Sequence, residues 1–140
     1  MATRDEIVES IAGMTLFADL SAPQLQGVAG RMEETFFGQG ERILRQGLTG
    51  SGFFVILEGE VGVVIDGEQR STLGRGEFFG EISILLQSPP VADIVALRPM
   101  RCLVLAGPAV EQFLVDHPRV MFRMLQAQAR RLRAANRARS

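Results

Sequence analysis

The sequence contains no tryptophan, tyrosine or lysine, and it has one cysteine, Cys102, and one histidine, His117. Without tryptophan or tyrosine, a ligand base would have to stack on phenylalanine, which disfavours nucleic-acid binding by stacking. One cysteine and one histidine cannot supply a His/Cys metal site, and they leave little material for a Cys–His or Ser–His nucleophile pair. We therefore expect a protein that is not an enzyme and that holds no metal or cofactor.

Long apolar runs are missing as well, because Gly, Glu, Arg or Asp interrupts every hydrophobic stretch before the ~20 residues that a membrane-spanning helix needs. The N-terminus lacks the pattern of a signal peptide, and a lone cysteine forms no internal disulfide. Cys102 lies in an apolar run and is expected in the core, whereas His117 is expected to be a surface residue between two helices. These absences predict a cytoplasmic protein.

Acidic residues are absent from the end of the chain. Residues 1–117 contain all 16 acids and eight of the 15 arginines, and residues 118–140 contain the other seven arginines. One interpretation is that these arginines are solvated or paired with the acidic body. The other is an adaptor that docks its basic helix, with Arg130, Arg131 and Arg133, on an acidic protein or membrane surface.

The 140 residues, 46% of them hydrophobic, are enough for a single domain with its own core, spanning 1–140. Residues 1–32 predict two helices, the first from Thr3 to about Gly13 and the second capped by Ser21 and ending near Arg31. Residues 107–140 predict two more, which cover about Pro108–Asp116 and then Pro118 to about Ala138.

Between these helices, residues 33–106 form short runs of Val, Ile and Phe separated by glycines, which predicts an antiparallel β-barrel of the jelly-roll type and an α+β fold class. Residues 61–65 and 68–73 are joined by Asp66-Gly67, a pair typical of a two-residue hairpin turn. The segment Gly47–Gly52 is glycine-rich, but without lysine it is no P-loop and is expected to be a loop of the barrel.

The final helix has one continuous stripe of residues at alternating spacings of four and three. The stripe comprises Met121, Leu125, Gln128, Leu132 and Ala135. It either packs on the barrel or meets a partner helix, which is most simply its own copy in a homodimer.

The stretch Phe78–Val95 predicts a strand, a glycine, one helical turn, a loop and another strand. A glycine at a short helix's N-terminus lets a ligand approach N–H groups that have no intrahelical partner, and the local dipole favours anions. Glu81, next to Gly80, is placed to accept hydrogen bonds from hydroxyls. This arrangement suits a ligand that combines an anion with a diol, and the alternative for Glu81 is a carboxylate that only complements the helix dipole.

The same stretch resembles the phosphate-binding cassette of cyclic nucleotide-binding domains, in which Phe-Gly-Glu and a short apolar helix precede Pro-Arg-Ala-Ala-Thr-Val. The spacing agrees without a gap from Phe79 to Ile94, and further similarity extends over nearly the whole chain. The resemblance implies cAMP or cGMP as the ligand, with ribose on Gly80 and Glu81 and phosphate on the backbone of Ile82 and Ser83. The candidate ligand-binding residues are Phe79, Gly80, Glu81, Ile82, Ser83, Pro90, Val91, Ala92 and Asp93.

Two positions depart from the family pattern: Pro90 stands in place of the phosphate-binding Arg, and Asp93 in place of the phosphate-binding Thr or Ser. We therefore expect a regulatory or interaction module that binds cyclic nucleotide weakly or not at all. Three alternatives stay open: Arg45 or Arg98 reaches the phosphate, Asp93 is protonated or paired, or the ligand is neutral or cationic. The first would restore a genuine cAMP or cGMP sensor.

In transcription factors with this domain, a long helix leads to a helix-turn-helix that reads DNA. The chain contains no such segment after its final helix, so we expect no specific DNA binding within it. The expected partner is a protein, or a second copy of the chain, on the C-terminal helix.

Overall fold

The computed structural model describes residues 1–48 and 51–139, which form two four-stranded antiparallel sheets with flanking helices. The predicted fold class is confirmed, although the strands form two separate sheets rather than one closed barrel. Thr49 and Gly50, in the middle of the glycine-rich segment Gly47–Gly52, lie outside the described residues, as does Ser140.

Five α-helices and one short 3-10 helix are present in the described part of the chain. They are α1 (Arg4–Ala12), the 3-10 turn (Thr15–Phe17), α2 (Ala22–Arg31), α3 (Glu81–Leu86), α4 (Gly107–Asp116) and α5 (Pro118–Arg139). The predicted helix starts are confirmed. The side chains of Thr3 and Ser21 each accept a hydrogen bond from the backbone N–H three residues on, and the side chain of that residue accepts one from the backbone N–H of the cap.

The strands in chain order are β1 (Glu33–Phe37), β2 (Arg42–Leu44), β3 (Gly52–Glu58), β4 (Val61–Ile65), β5 (Glu68–Leu73), β6 (Phe78–Phe79), β7 (Asp93–Ala96) and β8 (Met100–Ala106). One sheet has the order β1-β8-β3-β6 and the other β2-β7-β4-β5. The predicted hairpin is confirmed as β4–β5. Its turn residues Asp66 and Gly67 have φ values of 53° and 78°, which match the right-handed twist of the strands.

Strand β3 separates two hydrophobic cores, because successive side chains of a strand point to opposite faces. Phe54 and Ile56 lie in the core between the two sheets, together with β7. Phe53 and Val55 face the helices instead, in a core that includes Phe17 and residues of α2, α4 and α5. Burial on both faces explains why this strand reads as a continuous apolar run rather than an alternating one.

Cys102 lies in the core between the sheets and is fully buried, as the sequence predicted. Burial raises the pKa of its thiol to about 12, so the reactive thiolate is disfavoured. Among the described residues there is no cluster of three or more His, Cys, Asp and Glu side chains that could hold a metal ion. None of the helices in the described ranges is both long enough and apolar enough to cross a membrane.

His117 lies between α4 and α5, but it is less exposed than the sequence predicted. It caps the end of α4, and its Nδ1 lies 2.9 Å from the carbonyl oxygen of Phe113. The centres of the His117 and Phe113 rings are 4.7 Å apart. Packing of its ring on Phe113 therefore makes it part of the joint between the helices. Pro118 then opens α5.

Asp19, after the 3-10 turn, anchors the start of α5. Its carboxylate accepts hydrogen bonds from Arg123 at 2.8 and 2.9 Å and from Arg119 at 3.1 and 3.2 Å. Arg31 of α2 forms a second tie to the C-terminal helices, at 2.9 Å from Asp116. Part of the basic helix is thus paired with the acidic body, which agrees with the first interpretation of its arginines.

The stripe on α5 does not pack on the barrel, so that alternative is wrong for its apolar members. Met121 is 43% exposed, and Leu125 and Leu132 are each 62% exposed. The buried residues of α5 are Val120 and Met124 instead. The buried face therefore lies one residue, or about 100° of helix rotation, away from the predicted stripe.

We predict that Asp19→Asn lowers the stability of the protein in a pH-dependent manner. Hydrogen bonds from Arg123 lower the pKa of Asp19 from 3.8 to about 2. A lowered pKa in the folded state contributes stability above the unfolded value, and this contribution disappears as the pH falls through the folded value. Thermal unfolding should show a melting temperature below wild type at neutral pH, with a gap that closes between pH 3.8 and about 2.

Glu111→Gln is the control, because Glu111 is exposed and has no ion pair among the residues that the structure describes. A gap for Asp19→Asn that persists unchanged at pH 2, or an equal gap for the control, would contradict the role given to Asp19.

Candidate functional site

The candidate cassette begins where β6 ends at Gly80, and this position requires glycine for two reasons. Its φ is 91°, a left-handed conformation that residues with a Cβ rarely adopt. A Cβ there would also collide with the carbonyl oxygen of Gly52 on β3. The close approach of these two backbones turns the chain from the sheet into α3.

Helix α3 starts without a capping side chain, because its N-cap is Gly80. The first N–H groups of a helix have no intrahelical acceptor, and they include those of Ile82 and Ser83, which the resemblance places on a phosphate. The Ser83 hydroxyl itself donates to the carbonyl oxygen of Gly80 at 3.3 Å. Ile82 is 41% exposed, and Leu85 and Leu86 further along are 50% and 68% exposed.

Glu81 is only 1% exposed and is held by two side chains of α5. Its Oε2 accepts hydrogen bonds from Gln128 Nε2 at 3.1 Å and from Arg131 Nη1 at 3.4 Å. The carboxylate therefore does more than complement the helix dipole. Through these contacts the final helix covers the residue that the resemblance assigns to the ribose.

Arg131 is fixed by further contacts with β6. Its Nη2 donates to the carbonyl oxygen of Phe78 at 2.8 Å, and the guanidinium carbon lies 4.4 Å from the centre of the Phe78 ring. Arg131 was expected at an interaction surface, together with Arg130 and Arg133. The structure instead places it at the cassette, while Arg130 and Arg133 remain exposed.

Asp93, at the far end of the cassette, is paired, as one of the open alternatives expected. Its Oδ1 accepts a hydrogen bond from the backbone N–H of Gln46 at 2.7 Å, and its Oδ2 lies 3.9 Å from Nε of Arg42. Pro90 is buried, and its carbonyl oxygen accepts from the N–H of Gly47 at 2.9 Å. Through Gln46 and Gly47, the segment after β2 is thus hydrogen-bonded to Asp93 and Pro90, the two residues that depart from the family pattern.

Neither arginine named from the sequence as a substitute contacts the cassette. Arg45 and Arg98 are exposed and make no hydrogen bond or ion pair with it in the described ranges. Arg42 is the arginine beside Asp93, because β2 pairs with β7 in a register that sets Arg42 opposite Val95. The pairing of β2 with β7 thus determines which arginine lies beside Asp93, and no local sequence pattern predicts that pairing.

The apolar side of the cassette is built on aromatic packing. Phe79 stacks on Phe54 with ring centres 4.7 Å apart and an angle of 6° between their planes. Ala92 is buried beside the loop, whereas Val91 is 50% exposed. The structure thus brings Phe79 and Ala92 to the interior, and it leaves Val91 facing solvent.

The family model for the cyclic nucleotide-binding domain matches residues 34–117, more than half of the chain. Among curated proteins, the chain is similar to the cGMP-dependent protein kinase egl-4 of Caenorhabditis briggsae, with 33% identity over 105 residues. That match covers 71% of this chain but only 14% of the kinase, so the chain spans about a seventh of this relative.

Two solved structures show the same architecture. A cyclic nucleotide-binding domain from Methylobacillus flagellatus is 28% identical with a TM-score of 0.77, covering 94% of this chain and 79% of that one. The catabolite activator protein of Thermus thermophilus is 28% identical with a TM-score of 0.76, covering 87% of this chain and 60% of that one.

We predict that Gly80→Ala destabilises the protein by about 1–3 kcal/mol, because alanine is strained at this φ and its Cβ collides with Gly52. Urea unfolding measures the change. Gly27→Ala in α2 is the matched control, since a Cβ there meets nothing within 4 Å. Replacing a glycine inside a helix with alanine stabilises a protein by up to about 1 kcal/mol. Equal stability of the two variants would therefore contradict the structure of the cassette.

Proposed function

The chain belongs to the cyclic nucleotide-binding domain family, and from this premise we propose that it is a non-catalytic regulatory module whose cassette binds cyclic nucleotides weakly or not at all. The observation that carries the proposal is the carboxylate of Asp93, which is bound to Gln46 N at the position where the family pattern has a phosphate-binding hydroxyl. We also propose a cytoplasmic location, supported by the single, buried Cys102.

Electrostatics supports weak binding in the family's usual mode. A charge-assisted hydrogen bond from Arg to phosphate is worth about 1.5–3 kcal/mol, and Pro90 cannot supply one. A carboxylate ~4–6 Å from a phosphate repels it by about 3 kcal/mol at an effective dielectric of 20. Because Arg42 is near Asp93 and 55% exposed, part of this repulsion is screened. Even with this screening, the two losses together correspond to more than about tenfold in affinity.

The contact between Glu81 and α5 supports a regulatory output. Gln128 and Arg131 occupy the carboxylate that would accept the ribose hydroxyls, so a ligand there competes with these two side chains. Displacing them would loosen the middle of α5, while Asp19 still holds its start. The ligand, or a protein partner that grips α5, would thereby change the position of the exposed end of the helix.

Restoring the missing groups tests the proposal. We predict that Pro90→Arg/Asp93→Thr binds cAMP or cGMP at least about tenfold more tightly than the wild type, because it regains a charge-assisted contact and loses a repulsion. Isothermal titration calorimetry with each nucleotide, up to millimolar concentration, measures both proteins. Pro90→Arg alone is titrated as well, because the double variant also removes the hydrogen bond from Gln46 N to Asp93, whereas the single variant keeps it.

Pro89→Arg is the matched control. Pro89 is the exposed neighbour of Pro90, so this substitution adds the same positive charge one position away from the cassette position. Micromolar binding by the wild type would contradict the proposal and favour a genuine sensor, with Arg42 as the substitute arginine. Equal tightening by Pro89→Arg would show that added charge, rather than the cassette position, is responsible.

We further propose that α5 pairs with α5 of a second copy. This is supported by the exposure of Met121, Leu125 and Leu132, which recur at spacings compatible with a coiled-coil seam. At about 100° per residue, Arg130 and Arg133 lie more than a quarter turn away from the centre of this stripe. Two such helices could therefore meet without bringing these like charges together.

Leu125→Asp tests the pairing. A leucine at the seam contributes about 1.5–3 kcal/mol when it is buried, so the dissociation constant of the dimer should rise roughly tenfold or more. Sedimentation velocity over a range of concentrations measures it. Val115→Asp is the control, because Val115 is 60% exposed on α4. A wild type that stays monomeric at every concentration, or an equal effect of the control, would contradict the pairing.

A further inference from the structure

A recess lies beside the start of the cassette, between the N-terminal segment and α5. It is a cleft of about 490 Å³ whose walls are residues 13–16, residues 75–78 and one face of α5. Ligand sites commonly measure about 300–1,000 Å³, so the cleft is large enough for a small molecule. The nucleotide-binding residues that the resemblance assigns do not line it.

Four guanidinium groups line this cleft: Arg75, Arg123, Arg130 and Arg131. Two of them are not compensated by a carboxylate. Among the residues that the structure describes, Arg75 donates only to neutral oxygens, those of Ser10 and the carbonyl of Leu57. Arg130 is exposed and forms no ion pair within the described part of the chain.

Acidic groups only partly offset this charge. Glu77 is the one carboxylate that lines the cleft within the described ranges, and it accepts a hydrogen bond from the N–H of Gly74 at 2.8 Å. The other two arginines have carboxylate partners: Arg123 with Asp19 and Arg131 with Glu81. Two uncompensated arginines against one carboxylate leave the cleft positive.

Arg75 is held in place by its hydrogen bonds, which span from α1 to β3. A guanidinium whose position is already fixed loses less conformational freedom when it binds an anion. Arg130 faces the same cleft from α5 and is unpaired, so it can turn toward a ligand. The two charges come from different walls of the cleft, the segment before β6 and α5, and can act on one molecule.

Arg131 connects this cleft to the cassette, because the same guanidinium lines the cleft and donates to Glu81 at 3.4 Å. A long charge-assisted bond of this kind is open to competition from an anion with better geometry. An anion in the cleft would draw Arg131 away from Glu81, and Gln128 would then remain as the contact from α5 to that carboxylate.

We propose that the cleft is a second site, which binds a small molecule with at least two phosphate or carboxylate groups and thereby weakens the hold of α5 on Glu81. The anionic groups bridge Arg75 and Arg130, and Arg131 transmits the effect to the cassette. This site acts independently of cyclic nucleotide, so its test does not depend on the weak cassette binding proposed above.

Calorimetric titration of pyrophosphate and, separately, citrate into the full chain tests the site. One anion should bind with a single-site isotherm, and which one binds distinguishes phosphate from carboxylate chemistry. Arg130→Gln should weaken binding roughly five- to tenfold, as expected for the loss of one charge-assisted contact at an exposed position. The matched control is Arg133→Gln, an exposed arginine of the same helix that does not line the cleft.

The link to the cassette has its own readout. The side-chain amide resonances of Gln128 should shift when the anion binds the wild type, and at an anion concentration near the wild-type dissociation constant the shift should be several-fold smaller in Arg130→Gln. No binding of either anion, or equal weakening by Arg133→Gln, overturns the site. Binding without a shift of the Gln128 amide overturns the coupling to Glu81.

Discussion

The arrangement of this protein depends on a buried carboxylate, that of Glu81. Burying a charge is costly unless the charge is paired and hydrogen-bonded, and removing one partner of a buried pair is more damaging than lacking the pair altogether. Here the partners, Gln128 and Arg131, come from the last helix. The cassette, α5 and the strand end at Phe78 must therefore be placed together, and none of them can shift without exposing or orphaning a charge.

Helix α5 accordingly has three faces with different roles. Val120 and Met124 pack against the body, and the side chains that reach Asp19 and Glu81 flank this contact. A second face exposes the apolar stripe that contains Leu125, which makes it the candidate for a second copy. The third carries arginines such as Arg130 toward the cleft. A single displacement of the helix would alter all three surfaces at once, which suits a regulatory element.

The cassette has the glycine and the short helix that the resemblance predicts, and the proposal of weak binding rests on its two departures, Pro90 and Asp93. Gly80 keeps its left-handed conformation, and α3 begins with uncapped N–H groups. Asp93 instead serves as a structural acceptor for Gln46 N, and the Pro90 carbonyl accepts from Gly47 N. Both residues thereby hold the segment that follows β2.

Features set by neighbours in the sequence were predictable. The helix start at Thr3, the cap at Ser21, the Asp66-Gly67 turn and the glycine before α3 depend on hydrogen bonds or φ angles within a few residues, and the structure confirms each. The family cassette was visible for the same reason, since its residues are contiguous.

Residues that meet across the fold were not predictable in this way. Arg131 and Glu81 are 50 positions apart, and Arg42 reaches Asp93 only because β2 pairs with β7. Sequence left open whether the stripe on α5 packs on the barrel or meets a partner helix, because periodicity finds an apolar face but does not reveal which face the body covers. Local patterns determined the elements and the cassette, whereas tertiary packing decided which charges meet and which apolar face stays exposed, since those depend on contacts between distant segments.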